Sequence, residues 1–239
     1  MAETGHARNV ANFEQLISFC VGYGGDYKPT NVLIEIPTLN VLLAEAQAAL
    51  DDVQVKIVPW KNKVADRENI YTGIRPRTTQ ILAAFEASGA DANKVDNVKT
   101  YHRQVHGARA TALPPDDPST PENEATGNSV SHQSYVQVAE SFGQIVEIVS
   151  AEPLYTPNET PLQVGTNQAL LASMLTANTD VMNASTPLSN SRIGRNAIFY
   201  NNDDNLCDRA LLVKKYVKSL YGANSPQYAQ VSGLEFKKR

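Results

Sequence analysis

Few residues in this chain combine a reactive type with a useful spacing. His102 and His106 stand four apart in a segment that reads as helix, so both imidazoles can face one way, as a metal pair requires. No carboxylate or thiol lies at ligand spacing beside them, and Lys99 and Arg103 add positive charge. The expectation is therefore two surface or interface histidines and no metal. Arg67 and Arg195, with Asn62 and Asn190 five residues before them, could anchor a phosphate or carboxylate, since a guanidinium binds such groups bidentately. The structural alternative is that each Arg is paired inside the fold and each Asn serves backbone loosened by the proline three residues earlier.

Other constellations fall short of a site. Gly22-Tyr23-Gly24-Gly25 lacks the Lys and Ser/Thr of a phosphate loop and follows a helix. Asn201-Asn202-Asp203-Asp204-Asn205 offers oxygens but not the glycine and distant glutamate of a calcium loop. Glu3 to His6 is a lone E-x-x-H near the start, where fraying is expected, and a di-iron bundle needs a second such motif and two further glutamates. Neither G-x-S-x-G nor H-E-x-x-H occurs. No catalytic residue and no cofactor are expected.

The elements that would position these residues repeat. Residues 27–71 set against 155–199 at a constant offset of 128 give 13 identities in 45 without a gap, among them Tyr27/Tyr155, Asp52/Asp180, Pro59/Pro187, Asn62/Asn190 and Arg67/Arg195. Random pairing would give roughly 3. After a one-residue slip, Phe13 answers Phe142 and Gln15 answers Gln144, and downstream Gly89-Ala90-Asp91 answers Gly222-Ala223-Asn224.

Each copy reads as helix. In the first, Leu16, Phe19 and Cys20 form a stripe that glycines from Gly22 stop. A long helix after Pro29 carries Leu39, Leu42, Leu43, Ala46 and Leu50 and meets an irregularity at Pro59, which Pro187 repeats. Ile81, Leu82 and Phe85 mark a third helix ending at Gly89, and Asp91 caps a fourth with Val95, Val98 and Val105. Ser225-Pro226 is the N-cap and N1 pairing of the final helix. Val32 to Ile36 could form a short strand, but its equivalent, Thr160 to Val164, contains Pro161 and argues against one. An aromatic two residues before a proline, at Tyr27 and Tyr155, reads as a staple packing the entering chain onto its helix.

Between the copies, four prolines lie within Pro114 to Pro121, so 111–130 is expected to be an acidic linker or loop. Residues 1–110 form the first helical repeat and 131–239 the second, expected to pack as one elongated unit. The 239 residues are 42% hydrophobic and 19% charged, with a net charge of -4, which excludes disordered and collagenous classes. That charge is unevenly placed: residues 111–191 carry nine acids and no Lys or Arg, while 192–239 carry nine basic residues against four acids. An acidic balance argues against nucleic-acid binding. No stretch has the 18 or so apolar residues of a membrane span, and the opening residues lack a secretory leader, so a cytoplasmic location is expected. Cys20 and Cys207 are far apart in sequence and read as reduced core residues.

The Y-x-P entries, the T-x-x-x-L-L-A helix start and Pro187-Leu188-Ser189-Asn190-Ser191-Arg192-Ile193-Gly194-Arg195, leading to Tyr216-Val217-Lys218-Ser219 and Ser225-Pro226-Gln227-Tyr228, resemble an uncharacterised family of bacterial all-helical proteins of similar length. The resemblance implies a helical fold and, as that family has no established activity, transfers no site.

The fold expected is therefore all-α: an internally duplicated bundle of two copies of about four helices, with long kinked helices, related by a pseudo-two-fold. The function expected is a non-enzymatic structural protein that self-assembles into a homo-oligomer or filament, acidic segment to basic segment. The alternative is a helical binding module taking a peptide or small anionic ligand between the copies, anchored by Arg67 and Arg195.

Overall fold

The computed structural model describes residues 4–107 and 133–237. It is all-helical, with no strand among the described residues. The α-helices follow in order as α1 (Thr4–Gly22), α2 (Ile36–Tyr71), α3 (Ile74–Ala87), α4 (Ala92–His106), α5 (Tyr135–Ser150), α6 (Val164–Asn196), α7 (Leu206–Tyr221) and α8 (Pro226–Ser232). The expected linker at 111–130 lies outside the described residues.

Short polar side chains start these helices by accepting a backbone N–H that the first turn leaves without a partner. Asp91 accepts from the N–H of Asn93, Ser134 from Gln137, Asn205 from Asp208 and Ser225 from Tyr228. Gly89 follows α3 with φ +81°, a left-handed turn that a side chain would strain.

The long helices start later than their sequence pattern suggests. Val32–Ile34 winds into a 3-10 turn before α2, and Thr160–Leu162 does the same before α6, 128 residues on. This turn is what the apolar run at 32–36 becomes. Both helices continue through their prolines, Pro59 and Pro187. The end of α6 passes into one π turn, Ala197–Asn201, closed by the Asn202 N–H on the Ala197 carbonyl at 3.0 Å.

The chain divides into two compact units, residues 1–61 with 184–239 and residues 62–183. In each, apolar stripes face one another across the sequence midpoint. The first core sets Phe13, Leu16 and Cys20 of α1 among Ala210, Val213 and Val217 of α7, Leu39 and Leu42 of α2, and Val231 of α8. The second sets Phe142, Ile145 and Val149 of α5 among Ile81 and Phe85 of α3, Val95, Val98 and Val105 of α4, and Met174 of α6. Burying each of the Val, Leu, Ile, Phe and Met side chains among them stabilises by about 1.5–3 kcal/mol. Sequence repeat and compact unit are thus different divisions: α2 and α6 each contribute to both units, changing over within about a turn of Pro59 and Pro187. Cys20 and Cys207 are free and buried.

Candidate functional site

The polar positions shared by the two halves of the sequence are the natural candidates. Tyr27 and Tyr155 are both buried. Each hydroxyl donates to the last carbonyl of the following 3-10 turn, Tyr27 to Ile34 at 2.8 Å and Tyr155 to Leu162 at 2.9 Å. Each ring also lies edge-on to an aromatic of another helix, Tyr27 to Tyr216 and Tyr155 to Phe85. Burial raises the pKa of both phenols, that of Tyr155 to about 12, so both stay neutral donors. These tyrosines lock the entry to each long helix.

Arg67 and Arg195 end up in different compact units. In the second, the guanidinium carbon of Arg67 lies 3.9 Å from the centre of the Tyr135 ring, a cation–π stack, while its Nε has no hydrogen-bond partner. In the first, Arg195 is 5% exposed, and its Nε and Nη2 donate to Asn196 Oδ1 at 3.1 and 2.9 Å. Asn62 and Asn190 are exposed.

A further repeated polar position is a carboxylate. Asp180 accepts from Lys63 at 2.8 Å. Its counterpart Asp52 accepts from Ser191, which stands where Lys63 stands in the other pair, at 2.5 Å, and from Lys56 at 2.7 Å. The Lys56 and Ser191 donors hold the Asp52 pKa below the usual carboxylate value, and the Asp180 hydrogen bond raises that of Lys63.

Within the second unit a groove of about 620 Å³ opens between α2 and α6, beside this ion pair. Ile70 and Ala177 supply an apolar floor; Lys63, Asp66, Asn69, Ser173, Thr176 and Asp180 supply polar walls. A small ligand carrying both apolar surface and hydrogen-bonding groups suits that lining.

His102 and His106 do share one face of α4, with ring centres 4.2 Å apart. That face meets α3. The Nε2 of His102 lies 3.0 Å from Thr79 Oγ1, and the Nε2 of His106 lies 3.1 Å from the Arg75 carbonyl. Burial, then the His106 charge, lowers the His102 pKa. Among the described residues no group of three or more His, Cys, Asp or Glu could hold a metal ion.

A buried polar cluster around His6 was not legible in the sequence. His6, expected in a frayed terminus, is 5% exposed within α1. Its Nδ1 lies 2.8 Å from the Tyr200 hydroxyl, to which Asn9 Nδ2 also donates at 3.2 Å. Asn9 further exchanges hydrogen bonds with the backbone of Lys237. Tyr200 belongs to the π turn and is buried there. A π turn has no composition of its own, so only tertiary packing shows this cluster. Lys214, which reads as part of a solvated basic face, instead donates to the carbonyls of Ser232 and Leu234, and burial lowers its pKa.

No known family model matches this chain, no curated protein matches it in sequence, and no solved structure matches its fold. This is consistent with a resemblance to a family without established activity.

Proposed function

We propose that this is a non-enzymatic structural protein, one helical unit used twice about a pseudo-two-fold, which associates with copies of itself. The observation that carries the reading is where its repeated polar side chains go. Tyr27 and Tyr155 close turns, Asp52 and Asp180 join α2 to α6, Arg67 stacks on Tyr135 and Arg195 is buried on Asn196. What both halves share is support for the scaffold, as expected of a protein under selection for shape.

Three features support two copies: the 3-10 turns and helix starts spaced by 128, the two tyrosine locks, and a T-shaped aromatic pair in each unit. That pair is His6 on Phe199 in the first unit and Tyr135 on Tyr71 in the second, both at 87°. Self-association is supported by α2, where Val41, Ala44, Ala48, Val55 and Val58 share one exposed face interrupted by Asp51. Val55 is 69% exposed. Exposed Glu45 and Asp51 on α2 and exposed Lys215 and Lys218 on α7 offer charge of both signs for contacts between copies.

Light scattering after size exclusion, with negative-stain imaging, tests the proposal. Oligomers or filaments that Val55→Glu disperses are expected; monomers at every concentration and salt would refute it. No helix among the described residues is long and apolar enough to cross a membrane.

The groove between α2 and α6 favours a second reading, a binding module for a small ligand where first-copy and second-copy residues meet. Its test is a thermal-shift screen of small anions and short peptides against the protein and against Lys63→Ala and Asp180→Asn variants. A hit whose stabilisation all variants retain would remove this reading.

A further inference from the structure

Neither half of the chain owns a core. The first core takes ten buried apolar side chains from residues 4–107 and nine from 133–237; the second takes seven and eight. Take away residues 133–237 and α1 loses α7, while α3 and α4 lose α5. Exposing apolar faces of that extent is not sustainable in water, so each half requires the other.

The two places where the halves meet end to end are built alike. In the second unit the end of α4 meets the approach to α5. A Cβ on Gly107 would lie 2.8 Å from the Gln133 side chain, and Gln133 Nε2 donates to the Gln104 carbonyl at 2.8 Å. In the first unit the segment after α8 meets α1. Asn9 and Lys237 exchange two hydrogen bonds, and Asn12 Nδ2 donates to the Glu235 carbonyl at 2.8 Å. One junction is bridged by the covalent connection 108–132; the other, between α1 and residues 235–237, is made by packing and these hydrogen bonds.

We propose that residues 4–107 and 133–237 are complementary binding partners: the surface each half presents fits the other half, whether supplied by the same chain or by a second copy. The connection contributes proximity. A covalent connection of 25 residues sets a high local concentration of one half for the other, so the half on the same chain wins at ordinary protein concentration. Under crowding, or after unfolding and refolding at high concentration, a half from a second copy fills the same place by exchange of identical elements. This adds a route by which copies would associate besides the exposed face of α2, and it depends on the self-association reading for that last step alone.

The test uses the full-length protein with a site-specific protease sequence inserted between Thr120 and Pro121, cut after folding. Expected is one species with the mass of the uncut chain, containing both fragments in equal amount and with unchanged helical circular dichroism. Tagged and untagged cut protein, mixed, unfolded in urea and refolded, should then yield pairs with one tagged and one untagged half. Separation of the fragments in native buffer, folded or aggregated, overturns the proposal. A circular permutant opened between Thr126 and Gly127, with Arg239 joined to Met1 by a short Gly-Ser linker, guards against an insertion that itself prevents folding. A native-like monomer is expected, and failure of both variants refutes the inference. If the halves stay together while the uncut chain is monomeric throughout, the self-association reading fails and this one stands.

Discussion

In the two compact units equivalent positions do the same mechanical work with different chemistry. Where the second unit sets the Tyr135 ring edge-on to Tyr71 with Arg67 stacked on it, the first sets His6 edge-on to Phe199 beside Tyr200. Where the second joins α2 to α6 by an ion pair between Lys63 and Asp180, the first uses the Ser191 hydroxyl on Asp52. The carboxylate is constant and its donor is not. An exposed ion pair contributes little, because water screens it and two long side chains must be ordered, so such a donor is free to vary. The tyrosine locks do not vary, because a buried carbonyl that loses its donor costs the full desolvation of that group.

The comparison is most severely tested in the cores. Phe13→Ala in α1 and Phe142→Ala in α5 each empty a fully buried site and should each cost about 3–5 kcal/mol in urea denaturation. Equal losses extend the equivalence; a large loss at one site with tolerance at the other breaks it. Next come Tyr27→Phe and Tyr155→Phe, each removing the hydroxyl that closes a 3-10 turn. Both should lose about 1–2 kcal/mol, and unequal values would show that one lock is redundant.

Smaller effects separate the two α2–α6 donors. Lys63→Ala should destabilise slightly at low salt and not at all near 1 M salt, whereas the loss from Ser191→Ala should be insensitive to salt. Their pH windows lie at opposite ends. The pKa of Asp52 is depressed, so its contribution is complete above the ordinary carboxylate value and is lost as pH falls through the depressed one. The pKa of Lys63 is raised, so its contribution is complete below the ordinary lysine value and is lost only as pH rises through the raised one. Denaturation midpoints across pH for the wild type and the two variants measure both. The smallest effect is at His102, whose imidazole should titrate by NMR below the ordinary histidine value and move up in His106→Ala. Because its folded pKa is lowered, the associated stability is complete above the ordinary value and is lost as pH falls through the lowered one.

Several particulars were legible in advance. Asp91 and Ser225 cap the helices expected of them, Gly89 ends α3, and Tyr27 and Tyr155 staple the long-helix entries. Local rules decide these features, and the residues that obey them are neighbours in sequence. The 3-10 turns before α2 and α6 were not legible, because Val32-Leu33-Ile34 satisfies a strand pattern equally well until Asn31 accepts the Leu33 N–H. The His6 cluster and the role of Lys214 were missed because their partners lie about 200 and 20 residues away respectively, and neither residue type announces burial.

By itself the sequence determined that the chain is helical, that glycines close α1 and α3, that Asp91 and Ser225 open α4 and α8, and which faces of the first four helices are apolar. Periodicity and capping are short-range, and they leave a readable mark within a few residues. Only the tertiary structure decided that α1 packs with α7, that α5 packs with α3 and α4, and that the compact units cut across the two halves of the sequence. The physical reason is that apolar burial is non-directional: a stripe such as Val138, Phe142 and Ile145 specifies that it must be covered but not by which helix. That choice is made by the shape of the whole chain.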